Sequence, residues 1–140
     1  MWRDRILWVF LTAGALFWAA LYVLTTPVWR SGWPLQEPLV FLRLALAYPV
    51  LEEIVFRGAL QSYFARHLPA LPGPVGSANI ATSILFSAMH LYSHPPLWAA
   101  AVFIPSLVFG YFRERHNSLA TPIALHVFYN SGYLWIFGGR

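Results

Sequence analysis

The sequence has no cysteine, no lysine and only one aspartate, Asp4. Without cysteine there can be no disulfide, no thiolate metal site and no cysteine nucleophile. A lone aspartate beside the N-terminus excludes catalysis by an aspartate pair. Charge is scarce as well: 10% of residues are charged, against about 25% in an ordinary soluble domain. A surface so poor in charge faces lipid. All nine basic residues are Arg, and the net charge is +4. They form no basic cluster, so a nucleic-acid partner has no support, and the charges read as membrane-topology signals. No His-Glu-x-x-His zinc motif occurs, and Ser131, which stands before Gly132, lacks a Gly-x-Ser-Gly setting.

What the chain has is apolar surface: 59% of its 140 residues are hydrophobic and mean hydropathy is +0.57. That length suits one domain, residues 1–140. Five apolar segments stand near the roughly 20 residues needed to cross a bilayer: Ile6–Thr26, Leu39–Phe64, Ala78–Tyr92, Leu97–Phe112 and Leu119–Phe137. The third is the shortest. The first follows Arg3 and Arg5 as a signal peptide would, but it is too long for a signal core and ends in no small-residue cleavage site, so it reads as an uncleaved helix. Breakers separate the segments: Ser31-Gly32-Trp33-Pro34, the proline-rich stretch 69–76, His94-Pro95-Pro96 and His116-Asn117-Ser118. The predicted fold is an all-α polytopic transmembrane bundle of about five helices with its active site inside the membrane. Arg3, Arg5, Arg66, Arg113 and Arg115 fall on one side and Arg30 and Arg140 on the other, with Arg43 snorkelling, which puts the N-terminus in the cytoplasm. Trp2, Trp8, Trp29, Trp33, Tyr92 and Trp98 lie near helix ends as interfacial anchors.

The second segment carries Glu52, Glu53 and Arg57 in its middle. Each central charge costs roughly 2.5–3.5 kcal/mol on insertion, about 8–10 together, while about eleven large apolar residues return only about 5. The helix must therefore turn its polar face to partner helices or to a wet cavity. Glu53 and Arg57 are i, i+4 with the acid first, the favourable order for an ion pair. Glu52 lies about 100° around the helix from that pair and is the candidate to act on a water. A buried structural network of all three charges is the alternative. His90 on the third segment, and His126 with Asn130 one turn on in the fifth, add polar groups to other apolar helices. Counting ~1.5 Å per residue from the inner ends, Glu52, His90 and Asn130 reach similar depths of roughly 18–20 Å and His126 roughly 12 Å. Pro49 is expected to bend the second helix and free carbonyls, and Pro105 and Pro122 can do the same further on.

Glu52-Glu53-x-x-x-Arg57, Phe86-x-x-x-His90 and His126-x-x-x-Asn130, in this order, resemble the signature motifs of the CAAX protease and bacteriocin-processing (CPBP) family. The run Gly110-Tyr111-Phe112-Arg113-Glu114-Arg115, then Ser118-Leu119 and Pro122, is similar to the stretch before that family's last motif. The resemblance covers about Leu46 to Gly132. It implies intramembrane proteolysis of a membrane-anchored protein or peptide, such as a lipidated C-terminus or a surface protein's transmembrane tail. Glu52 and His90 would activate water, His126 and Asn130 would form the oxyanion hole, and Glu53 and Arg57 would support the site. No cofactor is expected. Glu and two His are a credible zinc set, but Asn130 beside His126 makes better sense as an oxyanion donor, a role worth about 3–4 kcal/mol. The location implied is the plasma membrane of a bacterium or archaeon. Two non-enzymatic readings stand beside this one, a membrane scaffold and a proton or ion relay of the same fold.

Overall fold

The computed structural model describes residues 1–25 and 32–138. Thr26, Trp29, Arg30, Ser31 and Arg140, which figured in the first segment's end, the anchors, the first breaker and the outer charges, lie outside the described residues. Within the described residues the secondary structure is helical, with no strand. The helices are α1 (Arg5–Thr25), α2 (Trp33–Gln36), α3 (Pro38–Leu42), α4 (Tyr48–Glu53), α5 (Gln61–His67), α6 (Ser77–His90), α7 (Pro96–Ala101), α8 (Phe103–His116) and α9 (Ala120–Phe137). Apart from α2, which begins inside the expected breaker at Trp33, they coincide closely with the apolar segments, because the other breakers end them. Among the described residues two helices are long and apolar enough to cross a membrane: α1, and α7 with α8 taken together as Pro96–His116, 21 residues each. At 14 residues, α6 is about 21 Å long, short of the ~30 Å hydrocarbon core.

Between α3 and α5 the backbone is helical throughout but not uniformly α. Arg43–Ala47 and Ile54–Leu60 are π-helical and flank α4, the segment that carries both glutamates. The amides of Tyr48 and Gln61 reach back five residues, to the carbonyls of Arg43 and Phe56. Pro49 sits just after the first wide turn, buried and without a sharp break in the helix. In the π register its amide would serve the Leu44 carbonyl, but proline has no N–H. π-Helical turns in helices occur often at functional sites.

The chain divides into two compact units. The first comprises Met1–Val50 with Ala124–Arg140, the second Leu51–Ile123. In the first, Asp4 Oδ1 accepts the amide of Ile6 at 3.0 Å and starts α1 as an N-cap does. α1 buries little, Leu7 being its buried residue, and shows Trp8, Val9, Leu16, Phe17, Val23 and Leu24 outward. Its inner side meets α9: the Tyr129 hydroxyl donates to the Phe10 carbonyl at 3.0 Å, and Trp18 lies 5.7 Å from the Tyr133 ring. The Trp33 indole donates to the Leu134 carbonyl at 2.8 Å.

In the second unit, α6 packs on α5 and α8. The loop before α6 closes when the Ser77 hydroxyl donates to the Pro69 carbonyl at 2.6 Å. α8 ends at Asn117, whose φ of 45° is left-handed and whose side chain accepts from Arg113 at 3.0 Å. Such a residue is a common helix stop. Ser118 then caps α9, accepting the amide of Ala120 at 3.1 Å, and His116 Nδ1 lies 2.6 Å from the Thr121 hydroxyl across the turn.

Candidate active site

Glu53 and Arg57 are both fully buried and paired at 3.1 Å. The other end of the guanidinium donates to Ser106, to its carbonyl at 2.9 Å and its hydroxyl at 2.6 Å. That hydroxyl donates to Ser83 Oγ at 2.9 Å, Ser83 donates to Asn79 Oδ1 at 3.2 Å, and Asn79 Nδ2 donates to the Leu107 carbonyl at 2.9 Å. Phe86 and Phe109 flank the guanidinium with ring centroids at 4.7 and 5.3 Å. A cation this deep is tolerable only because it is paired, hydrogen-bonded and covered by ring faces. Further along, Gln61 Nε2 donates to the Gly110 carbonyl at 3.1 Å and to Glu114 Oε1 at 2.9 Å. Gly110 has to be glycine, since a Cβ there would run into the Asn79 amide.

Glu52 stands apart from this column in exposure: it is half-buried where Glu53 is inaccessible. One carboxylate is thus built into the packing and the other stays reachable.

His90 ends α6, half-buried. Its Nδ1 lies 2.8 Å from the Phe86 carbonyl. A carbonyl only accepts, so Nδ1 carries a proton, and in the neutral imidazole Nε2 holds the lone pair. Phe86 therefore has two tasks. Its carbonyl orients the imidazole, while its ring touches Arg57, stands edge-on to Phe56 at 4.9 Å and lies 4.7 Å from the His90 ring. The spacing Phe86-x-x-x-His90 and the spacing Glu53-x-x-x-Arg57 meet at that ring.

In the first unit, His126 is buried, 5% exposed, and Asn130 is half-buried. Asn130 Nδ2 donates to the Leu44 carbonyl at 3.3 Å. This is the acceptor orphaned by Pro49, and the amide takes the place of the missing backbone donor. The second Nδ2 proton is not consumed by that bond. Glu52, Glu53, Arg57 and His90 belong to one unit, His126 and Asn130 to the other.

A zinc site needs at least three protein ligands. Within either unit, the described residues include no group of three His, Cys, Asp or Glu placed to hold a metal ion.

Sequence reasoning missed Gln61, Asn79, Ser83 and Ser106. A signal for them existed: Glu53–Arg57–Gln61, Asn79–Ser83 and Ser106–Gly110–Glu114 are ladders of period four in apolar helices. Such ladders mark one helix face.

A half-buried acid and an imidazole bonded through Nδ1 lie on apolar helices around a buried ion pair, and the family match assigns the chain to the membrane-embedded hydrolases. The model for the family described as Type II CAAX prenyl endopeptidase Rce1-like matches residues 34–132, and the chain belongs to that family, within the CPBP group. The matched stretch contains every candidate site residue. No curated protein and no solved structure matches the chain.

Proposed function

We propose that this protein is an intramembrane endopeptidase that hydrolyses a peptide bond in a membrane-anchored substrate with a water activated by Glu52 and His90. The observation that carries the reading is the bond from His90 Nδ1 to the Phe86 carbonyl. It leaves Nε2 as the nitrogen able to receive a proton from water or return it to the departing amine. Glu52 acts as carboxylate, accepting the water proton as the oxygen attacks the peptide carbonyl. His126 and the second Asn130 proton stabilise the oxyanion of the tetrahedral intermediate. Glu53 and Arg57 hold the site and do no chemistry. The reaction uses a glutamate and no metal, and the substrate is a lipidated C-terminal peptide or a transmembrane tail. The chain is a bundle of about five transmembrane helices in a bacterial or archaeal plasma membrane, N-terminus in the cytoplasm.

The test is cleavage by the purified protein, reconstituted in lipid, of membrane-anchored tails of proteins encoded near its gene. Glu52→Gln should lower the rate at least about a hundredfold, the low end of what a general base contributes, with the fold intact and wild-type activity insensitive to chelator. Activity lost to a chelator and restored by zinc would replace the metal-free mechanism. A second reading, a proton relay, is favoured by one feature, the bonded series Arg57–Ser106–Ser83–Asn79. Proton flux into vesicles that Ser83→Ala abolishes, without any peptidase activity, would select it; a scaffold would show neither and would keep its cellular function in Glu52→Gln.

A further inference from the structure

α1 carries an open groove lined by Arg5, Trp8, Val9, Thr12, Ala13 and Leu16. Its volume, about 430 Å³, falls within the roughly 300–1,000 Å³ of ligand clefts. All six lining residues are exposed. At about 100° per residue they lie opposite Leu7, Phe10, Gly14 and Trp18, the positions of α1 that are buried or meet α9. Thr12 and Ala13, small side chains between Trp8 and Leu16, leave the hollow. The Trp8 indole is held in place: Nε1 donates to the Trp2 carbonyl at 2.9 Å, and the two rings lie 6.0 Å apart.

The ends of the groove differ in chemistry. Arg5, the first residue of α1, stands at one end, and the other lining side chains carry no charge. Asp4, the neighbouring acid, accepts the Ile6 amide. From Arg5 to Leu16 the helix rises about 16 Å, and one leaflet of the hydrocarbon core is about 15 Å deep. A cation followed by an apolar furrow one leaflet long complements an anionic head with a hydrocarbon tail. An extended peptide would bring amides into the furrow with nothing to pair them. A second copy docked about a twofold axis in the same membrane orientation would set Arg5 against Arg5, like charge on like.

We propose that this groove holds one anionic phospholipid, its phosphate on the Arg5 guanidinium and an acyl chain along Trp8, Thr12, Ala13 and Leu16. The planar guanidinium meets two phosphate oxygens at once. Trp8 stands one turn inside Arg5, at the level where head meets tail and where amphipathic rings prefer to lie. The site uses none of the groups proposed for hydrolysis, so it stands or falls separately from the peptidase reading.

The test is native mass spectrometry of the full chain in a neutral detergent, with equal amounts of phosphatidylglycerol and phosphatidylcholine. Wild type should retain one lipid per chain and favour the anionic one about fivefold, which is what one Arg beside an anionic lipid confers. Arg5→Gln should erase that preference, while Arg3→Gln, the same change of charge outside the groove, should keep it. Ala13→Phe fills the hollow and should lose both lipids. Equal retention of the two lipids by wild type would overturn the proposal. So would an equal effect of Arg3→Gln and Arg5→Gln, which would reduce the site to diffuse attraction, or undiminished retention by Ala13→Phe. A lipid-free mass of two chains that Ala13→Phe returns to one would give the groove to a second copy instead.

Discussion

The two units solve the problem of polar groups in apolar helices differently. In Leu51–Ile123 side chains bond to side chains, and a cation, two serines and an asparagine form one buried series. In Met1–Val50 with Ala124–Arg140, Tyr129, Trp33 and Asn130 each donate singly to a backbone carbonyl. A network must be satisfied in every member, because an unpaired group in a low-dielectric interior is costly. Single donors to carbonyls are separable, and each can be lost at its own small cost. The unit Leu51–Ile123 is thus the brittle one.

The comparison breaks most sharply at Arg57. Arg57→Met strands the Glu53 carboxylate in a fully buried place and should cost on the order of 3–5 kcal/mol, whereas the double change Glu53→Leu with Arg57→Met should recover most of it. Thermal unfolding in detergent compares the two; a single mutant as stable as the double would mean the pair carries no buried charge. Gly110→Ala comes next. Its new methyl meets the Asn79 amide, and overpacking of this kind costs about 1–3 kcal/mol. Loss of the Asn79–Ser83 arrangement should accompany it, seen as faster amide exchange in α6. The smallest effect belongs to the other unit. Tyr129→Phe removes one bond to the Phe10 carbonyl and should cost about 0.6 kcal/mol, the mean for such bonds in a membrane protein. A Tyr129→Phe mutant as unstable as Arg57→Met would erase the distinction between the units.

The helices were legible because apolar runs and breakers are properties of neighbours in sequence. The Glu53–Arg57 pair was legible for the same reason, since both ends lie on one helix. Ser83 and Ser106 were not, because a single hydroxyl in an apolar helix names no partner on another. The π-helical stretches were also hidden. Pro49 announced a fault in the hydrogen-bond ladder, read as a bend; the chain absorbs the fault in a wide turn before it and in the Asn130 amide. Of the candidate site, the residue types and their order could be read. The half-burial of Glu52 and the tautomer of His90 required the packing.

The acceptor that fixes His90 is a peptide carbonyl, not a side chain. No replacement of the residue 86 side chain removes that oxygen, so the tautomer survives mutation at its own anchor point. Variation at position 86 is filtered instead through the ring that covers Arg57. The proton's address is written in the main chain, and drift in the sequence around it can alter how well the site is packed without changing which nitrogen is open for work.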